Sequence, residues 1–136
     1  ILRDKLESLR LKCGKIMKLG VVKEKTVPKM TIISKPLSKG MINTRTFIPH
    51  KCHQSIGVFG AISVATACLL EGTPANNLAV IPGGEKKICS IEHPSGQMQV
   101  SVELRNKKIK STAILRTARK LFDGLVFPDQ NSLKAN

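Results

Sequence analysis

From residue 55 to residue 70 sixteen consecutive residues carry no charge, in a chain whose Lys and Arg number 23 against 9 Asp and Glu. A helix that is apolar on every side has to be surrounded by protein. Gly72 and Pro74 follow the run in the order in which helices stop, glycine near the C-terminal end and proline just beyond. As one helix the run spans roughly 24 Å, at about 1.5 Å per residue. That is short of the roughly 20 apolar residues a membrane span requires. Gly57, Gly60, Ala61, Ser63, Ala65 and Ala67 are small enough to let strands approach its axis. The expectation is one continuous buried helix over 55–70 with a sheet wrapped around it.

The flanking sequence supplies that sheet. Segments 26–33, 42–48, 87–92, 97–104 and 109–115 alternate or run apolar at strand length. Asn106, Lys107 and Lys108 have the composition of a tight turn, and 73–82 reads as loop. Leu2, Leu6, Leu9, Ile16 and Leu19 recur at helical spacing, so 1–20 reads as a linking helix that stops at Gly20. At 136 residues the chain is long enough for one core, and 1–136 reads as a single domain. The fold class is α+β, with mostly antiparallel strands around one long helix.

Charge and composition narrow the function. A net charge of +14 and a pI near 10.1 invite nucleic acid as a partner. Against it, Tyr and Trp are absent, so the aromatic stacking platforms of single-strand readers are missing. The basic residues are scattered, and no helix-turn-helix, RNP or zinc-finger pattern occurs. A basic nucleic-acid-binding or non-catalytic interaction module therefore stands as the alternative. Cys13, Cys52, Cys68 and Cys89 form no Cys-x-x-Cys pair and read as free thiols of a cytoplasmic protein. His50, Cys52 and His53 are close in sequence but match no structural zinc spacing, so no metal is expected. Residues 1–19 are too charged for the apolar core of a signal peptide, and no membrane association is expected.

Three stretches together resemble the PrpF family of isomerases and tautomerases. One is Gly83-Gly84-Glu85 followed by the run from Ile91 to Met98, with His93-Pro94-Ser95-Gly96 inside it. Another runs from Thr112 through Arg116-Thr117-Ala118-Arg119 to Gly124, then Val126-Phe127-Pro128. The third is Gly60-Ala61 at the start of the uncharged run with Glu71-Gly72-Thr73 at its end; relatives tend to carry a small hydroxyl residue where this chain has Phe59. The resemblance implies the C-terminal half of a diaminopimelate-epimerase-like fold, two similar halves each built of strands around a helix. It also implies a cofactor-independent isomerase that shifts a double bond in a small unsaturated di- or tricarboxylate such as 2-methylaconitate. In that family the substrate lies between the halves, and the Lys and Cys that move the proton belong to the N-terminal half. No catalytic residue is therefore assigned here, and this half is expected to be inactive alone. Its expected partners are a small polycarboxylate, the N-terminal half of the same enzyme, and a second copy covering exposed apolar surface.

Candidate substrate-binding residues follow from residue chemistry. Ser55 and Gly57 open the helix, where free N–H groups and a partial positive charge suit a carboxylate, although Ser55 could equally be a plain cap. His93, Ser95 and Gly96 make a turn whose N–H groups and hydroxyl suit a second carboxylate, or which is a turn and nothing more. Arg116 offers a guanidinium fork that grips a carboxylate through two parallel hydrogen bonds.

Overall fold

The computed structural model describes residues 1–127. Its elements are helix α1 (Leu2–Ile16), strands β1 (Met30–Ser34) and β2 (Ile42–Phe47), helices α2 (Val58–Leu69) and α3 (Pro74–Leu78), and strands β3 (Lys86–His93), β4 (Gly96–Arg105) and β5 (Lys108–Ile114). The five strands form one sheet in sequence order. Three of the four pairings are antiparallel, and β2 runs parallel to β3 with Ile42 opposite Ile91. A parallel pair needs a crossover, which α2 and α3 provide. Asn106 and Lys107 both hold positive φ, 51° and 60°, the conformation of the two-residue hairpin turn between β4 and β5.

The core lies between one face of the sheet and one side of α2. Ala61, Val64, Ala65 and Cys68 are buried there against Cys89, Ile91, Val100 and Val102. The opposite side of α2 is not covered: Phe59 is 84% exposed and Ser63 is exposed as well. This corrects the expectation of a helix enclosed all round. The sheet meets α2 on one side only, so the uncharged run gives the helix an apolar face that has no partner among the described residues. The helix is also shorter than expected. Gly57 is its N-cap, with extended backbone and no side-chain cap, and Ser55 lies two residues ahead of it. Residues 73–82 are not all loop, because Thr73 caps α3 by accepting from the Asn76 N–H at 3.1 Å.

Helix α1 joins the body through an arginine. Arg10 is fully buried, and its Nε and Nη2 grip both oxygens of Glu7 at 2.7 and 2.8 Å. Its Nη1 donates to the carbonyls of Val22, Lys25 and Val27 at 3.0, 3.0 and 2.8 Å. One guanidinium thereby fixes the whole return from α1 to β1. Gly14, one turn further on, gives Val22 the space to be buried beside the helix.

Glu92 plays the matching part on the sheet. The carboxylate is 5% exposed and accepts from the N–H groups of Leu37, Ser38 and Gly40 at 2.7, 2.9 and 2.9 Å, closing the loop between β1 and β2. Burial pulls its pKa upward, but these three N–H groups and the charge of Arg45 outweigh it and hold the carboxyl below the ordinary value. A Cβ on Gly40 would stand 2.4 Å from Glu92 Cγ and 2.7 Å from its Oε1. Neither can yield without breaking the three bonds, so Gly40→Ala is expected to cost about 2–3 kcal/mol by overpacking. Urea denaturation checks this, and an unchanged midpoint would contradict it.

Candidate substrate-binding groove

The uncovered side of α2 is one wall of a groove of about 720 Å³. α2 leans onto β3, β4 and β5 while α3 touches β1, which leaves the β1–β2 face beside the start of α2 open. Thr31 and Ile33 of β1 and Thr46 of β2 form that floor, Val58, Phe59 and Gly60 the α2 wall, and Val27, Pro28 and Lys29 a third side. The Val27 carbonyl in the third side is the one Arg10 holds, so the buried arginine sets the position of the wall.

The start of α2 presents donors to this space. Ala61 N–H makes the first intrahelical bond, to Gly57 O at 2.9 Å, so the N–H groups of Val58, Phe59 and Gly60 have no intrahelical acceptor. No side chain caps them. An anion there would meet free donors and the positive end of the helix dipole. Gly57 borders the groove, whereas Ser55 is exposed and does not line it.

The His93–Gly96 turn is brought next to the α2 lead-in. Ser95 donates both its N–H, at 3.0 Å, and its hydroxyl, at 2.7 Å, to the carbonyl of Gln54. His93 Nδ1 lies 3.2 Å from the same oxygen and 3.3 Å from Ser95 Oγ. With Nδ1 protonated, His93 donates to Gln54 too. The turn thus clamps the segment that delivers Gly57, and the Ser95 donors are engaged in doing so. Gly96 adopts φ 147°, which suits its place at the turn.

Arg116 lies elsewhere. It follows β5 in an exposed stretch and lines a separate pocket of about 350 Å³ with Gln97, Met98 and Gln99. Leu115 N–H bonds Gln99 O at 3.1 Å, so Arg116 continues along β4 in the direction of Gly96 without reaching the groove lining. The six candidate residues therefore divide: Gly57 on the groove, Ser55, His93, Ser95 and Gly96 around its lead-in, and Arg116 on a neighbouring surface.

The cysteines and histidines gather into no metal site among the described residues. His50 Nδ1 approaches Glu7 at 3.5 Å, and Cys52 Sγ is 3.8 Å from the carbonyl of its neighbour His53. Cys68 and Cys89 are buried in the core, where burial first and the nearby Cys89 second push the Cys68 thiol up to about 12. Both are inert packing at neutral pH. No helix of the described residues is long and apolar enough to cross a membrane.

The model of a protein family described as PrpF protein matches residues 2–129, and the chain belongs to that family. It is similar to a 4-oxalomesaconate tautomerase of Pseudomonas putida, 52% identical over 125 residues that cover 92% of this chain and 35% of that protein. It is also similar to a (4E)-oxalomesaconate Delta-isomerase of Novosphingobium, 51% identical over 127 residues covering 93% and 36%. A crystal structure of methylitaconate-delta-isomerase shares the fold with a TM-score of 0.75 at 21% identity, over 99% of this chain and 40% of that one. The chain spans just over a third of the length of the curated relatives it matches. By name these two relatives are a tautomerase and an isomerase of oxalomesaconate, and they do not favour the nucleic-acid alternative.

Proposed function

We propose that this PrpF chain is the C-terminal, substrate-holding half of a cofactor-independent isomerase that shifts a double bond in a small unsaturated di- or tricarboxylate. The 52% identity to a 4-oxalomesaconate tautomerase over 92% of the chain carries this reading. In it, the fold is one half of a diaminopimelate-epimerase-like pair, and the groove beside α2 faces the other half. Isomerisation removes a proton from one carbon, moves the double bond and returns a proton to another carbon, so nothing is consumed. The free N–H groups at the start of α2 hold a substrate carboxylate, and the His93–Gly96 turn holds α2 in place to do so. The proton-transferring side chains come from the N-terminal half. Free thiols fit a cytoplasmic setting for the reaction.

The test is complementation. The chain alone is expected to show no isomerisation of oxalomesaconate or 2-methylaconitate. Mixing it with the N-terminal part of the Pseudomonas tautomerase is expected to restore turnover at least tenfold above either piece. Turnover by this chain alone, abolished by one His or Cys substitution within it, would contradict the assignment.

A further inference from the structure

The groove is apolar except in one corner. Ser63 borders it, but its hydroxyl donates to Phe59 O at 2.8 Å within the helix. The remaining polar side chains are Lys29, Thr31 and Thr46. Thr31 and Thr46 stand directly opposite each other on β1 and β2, so both hydroxyls project from the same face. They lie 3.0 Å apart and bond each other, with no other side-chain or backbone partner among the described residues. Two hydroxyls sharing one bond leave one O–H donor unused. Either hydroxyl can be the donor of that bond, and both residues line the groove, so the spare donor borders it whichever residue carries it. Lys29 lies two residues before Thr31, just ahead of β1, and lines the same groove. Its ammonium makes no ion pair among the described residues, and it is the only charged side chain lining the groove.

We propose that Lys29, Thr31 and Thr46 form a second carboxylate subsite, on the β1–β2 side of the groove, for the distal carboxylate of the substrate. This rests on the proposed function and sharpens it. One carboxylate sits at the start of α2, the unsaturated carbon chain crosses the apolar middle beside Ile33 and Val64, and the other carboxylate takes the charge of Lys29 and the spare hydroxyl donor. Monocarboxylates then fill only one end, so the groove selects di- and tricarboxylates. The backbone that delivers Lys29 is fixed by the bond from Arg10 to Val27 O, which removes part of the ordering cost of the contact.

Binding of tricarballylate and of acetate to the chain, followed by amide NMR at constant ionic strength, tests this. Lys29→Gln is expected to weaken tricarballylate about fivefold or more, as loss of one charge-assisted contact does. Thr31→Val is expected to weaken it by a smaller factor, and Lys29→Arg to retain most of the affinity. Acetate binding at the start of α2 is expected to stay the same in all three. Lys35→Gln removes a charge outside the groove and controls for the field of the whole protein. Equal weakening by Lys29→Gln and Lys35→Gln, or none by Lys29→Gln, overturns the subsite and leaves the α2 seat standing. Failure of the unaltered chain to bind either acid at the groove overturns both.

Discussion

Arg10→Ala is expected to lower the stability of the chain by about 3–5 kcal/mol, because a fully buried guanidinium is removed from a half-buried carboxylate and three backbone carbonyls at once. For a domain of this size that is a fall in thermal midpoint of about 10–20 °C. The loss has two parts. The Glu7 carboxylate, which bonding to Arg10 holds below its ordinary pKa, is left without its fork. The carbonyls of Val22, Lys25 and Val27 lose their shared donor, and Val22 is itself buried. Arg10→Lys is expected to recover only a minor share, because an ammonium cannot fork onto Glu7 and reach three carbonyls together. Differential scanning calorimetry reads the difference, and an Arg10→Ala midpoint within about 3 °C of the parent would show that α1 is held by something else.

Glu92→Ala is the second large effect. Three backbone N–H groups lose their acceptor, one of them on the buried Gly40, and each unsatisfied buried group costs about 1–3 kcal/mol. Water can reach the exposed Leu37 and Ser38 positions, so the expected total is about 3–4 kcal/mol. Glu92→Gln keeps one acceptor oxygen but turns an NH2 group towards an N–H donor, so it is expected to lie between the two. The pH dependence is separable. Because the folded pKa of Glu92 is depressed, its contribution is complete above the ordinary value of 4.5 and is lost as pH falls through the lower folded value. Acid titrations of stability are therefore expected to flatten in Glu92→Gln below pH 4.5. An identical acid slope in parent and variant would contradict the buried-carboxylate account.

Neither Arg10 nor Glu92 stands out by hydrophobic pattern, whereas the uncharged helix and the glycine-containing turns do. Strand β4 is legible because Met98, Val100, Val102 and Leu104 repeat at period two, and β3 and β5 because short apolar segments flank it; all three lie within one or two residues of their expected bounds. The enclosed helix was not legible. An uncharged run reports that a surface is apolar, and it carries no information on whether the cover comes from the same chain. Gly57 is legible because helix starts have a chemical signature, whereas Ser55 draws the expected start two residues early because serine is the commoner cap. Arg10 left a trace that was available. It falls four residues after Leu6 and four before Gly14, on a face where a solvated arginine has no place, and three residues after an acidic partner. Thr31 and Thr46 left none, since only strand pairing brings them together. Arg116 was singled out by a family-like stretch, but position along β4 depends on register, and register places it beside Gln97–Gln99.

Amide shift mapping of the chain with citrate or aconitate, at fixed ionic strength, tests the central claim that the groove beside α2 holds a carboxylate. A single uncapped helix start contributes typically 0.3–1 kcal/mol when exposed, and with a Lys29 contact the affinity is expected in the millimolar range, about −4 kcal/mol. The account predicts saturable shifts concentrated at Gly57, Val58, Phe59 and Gly60 and on Lys29 and Thr31, with smaller ones at Ser95 and Gly96 where the clamp transmits movement of the lead-in. Shifts spread evenly over the lysines, or none at the start of α2, would contradict it.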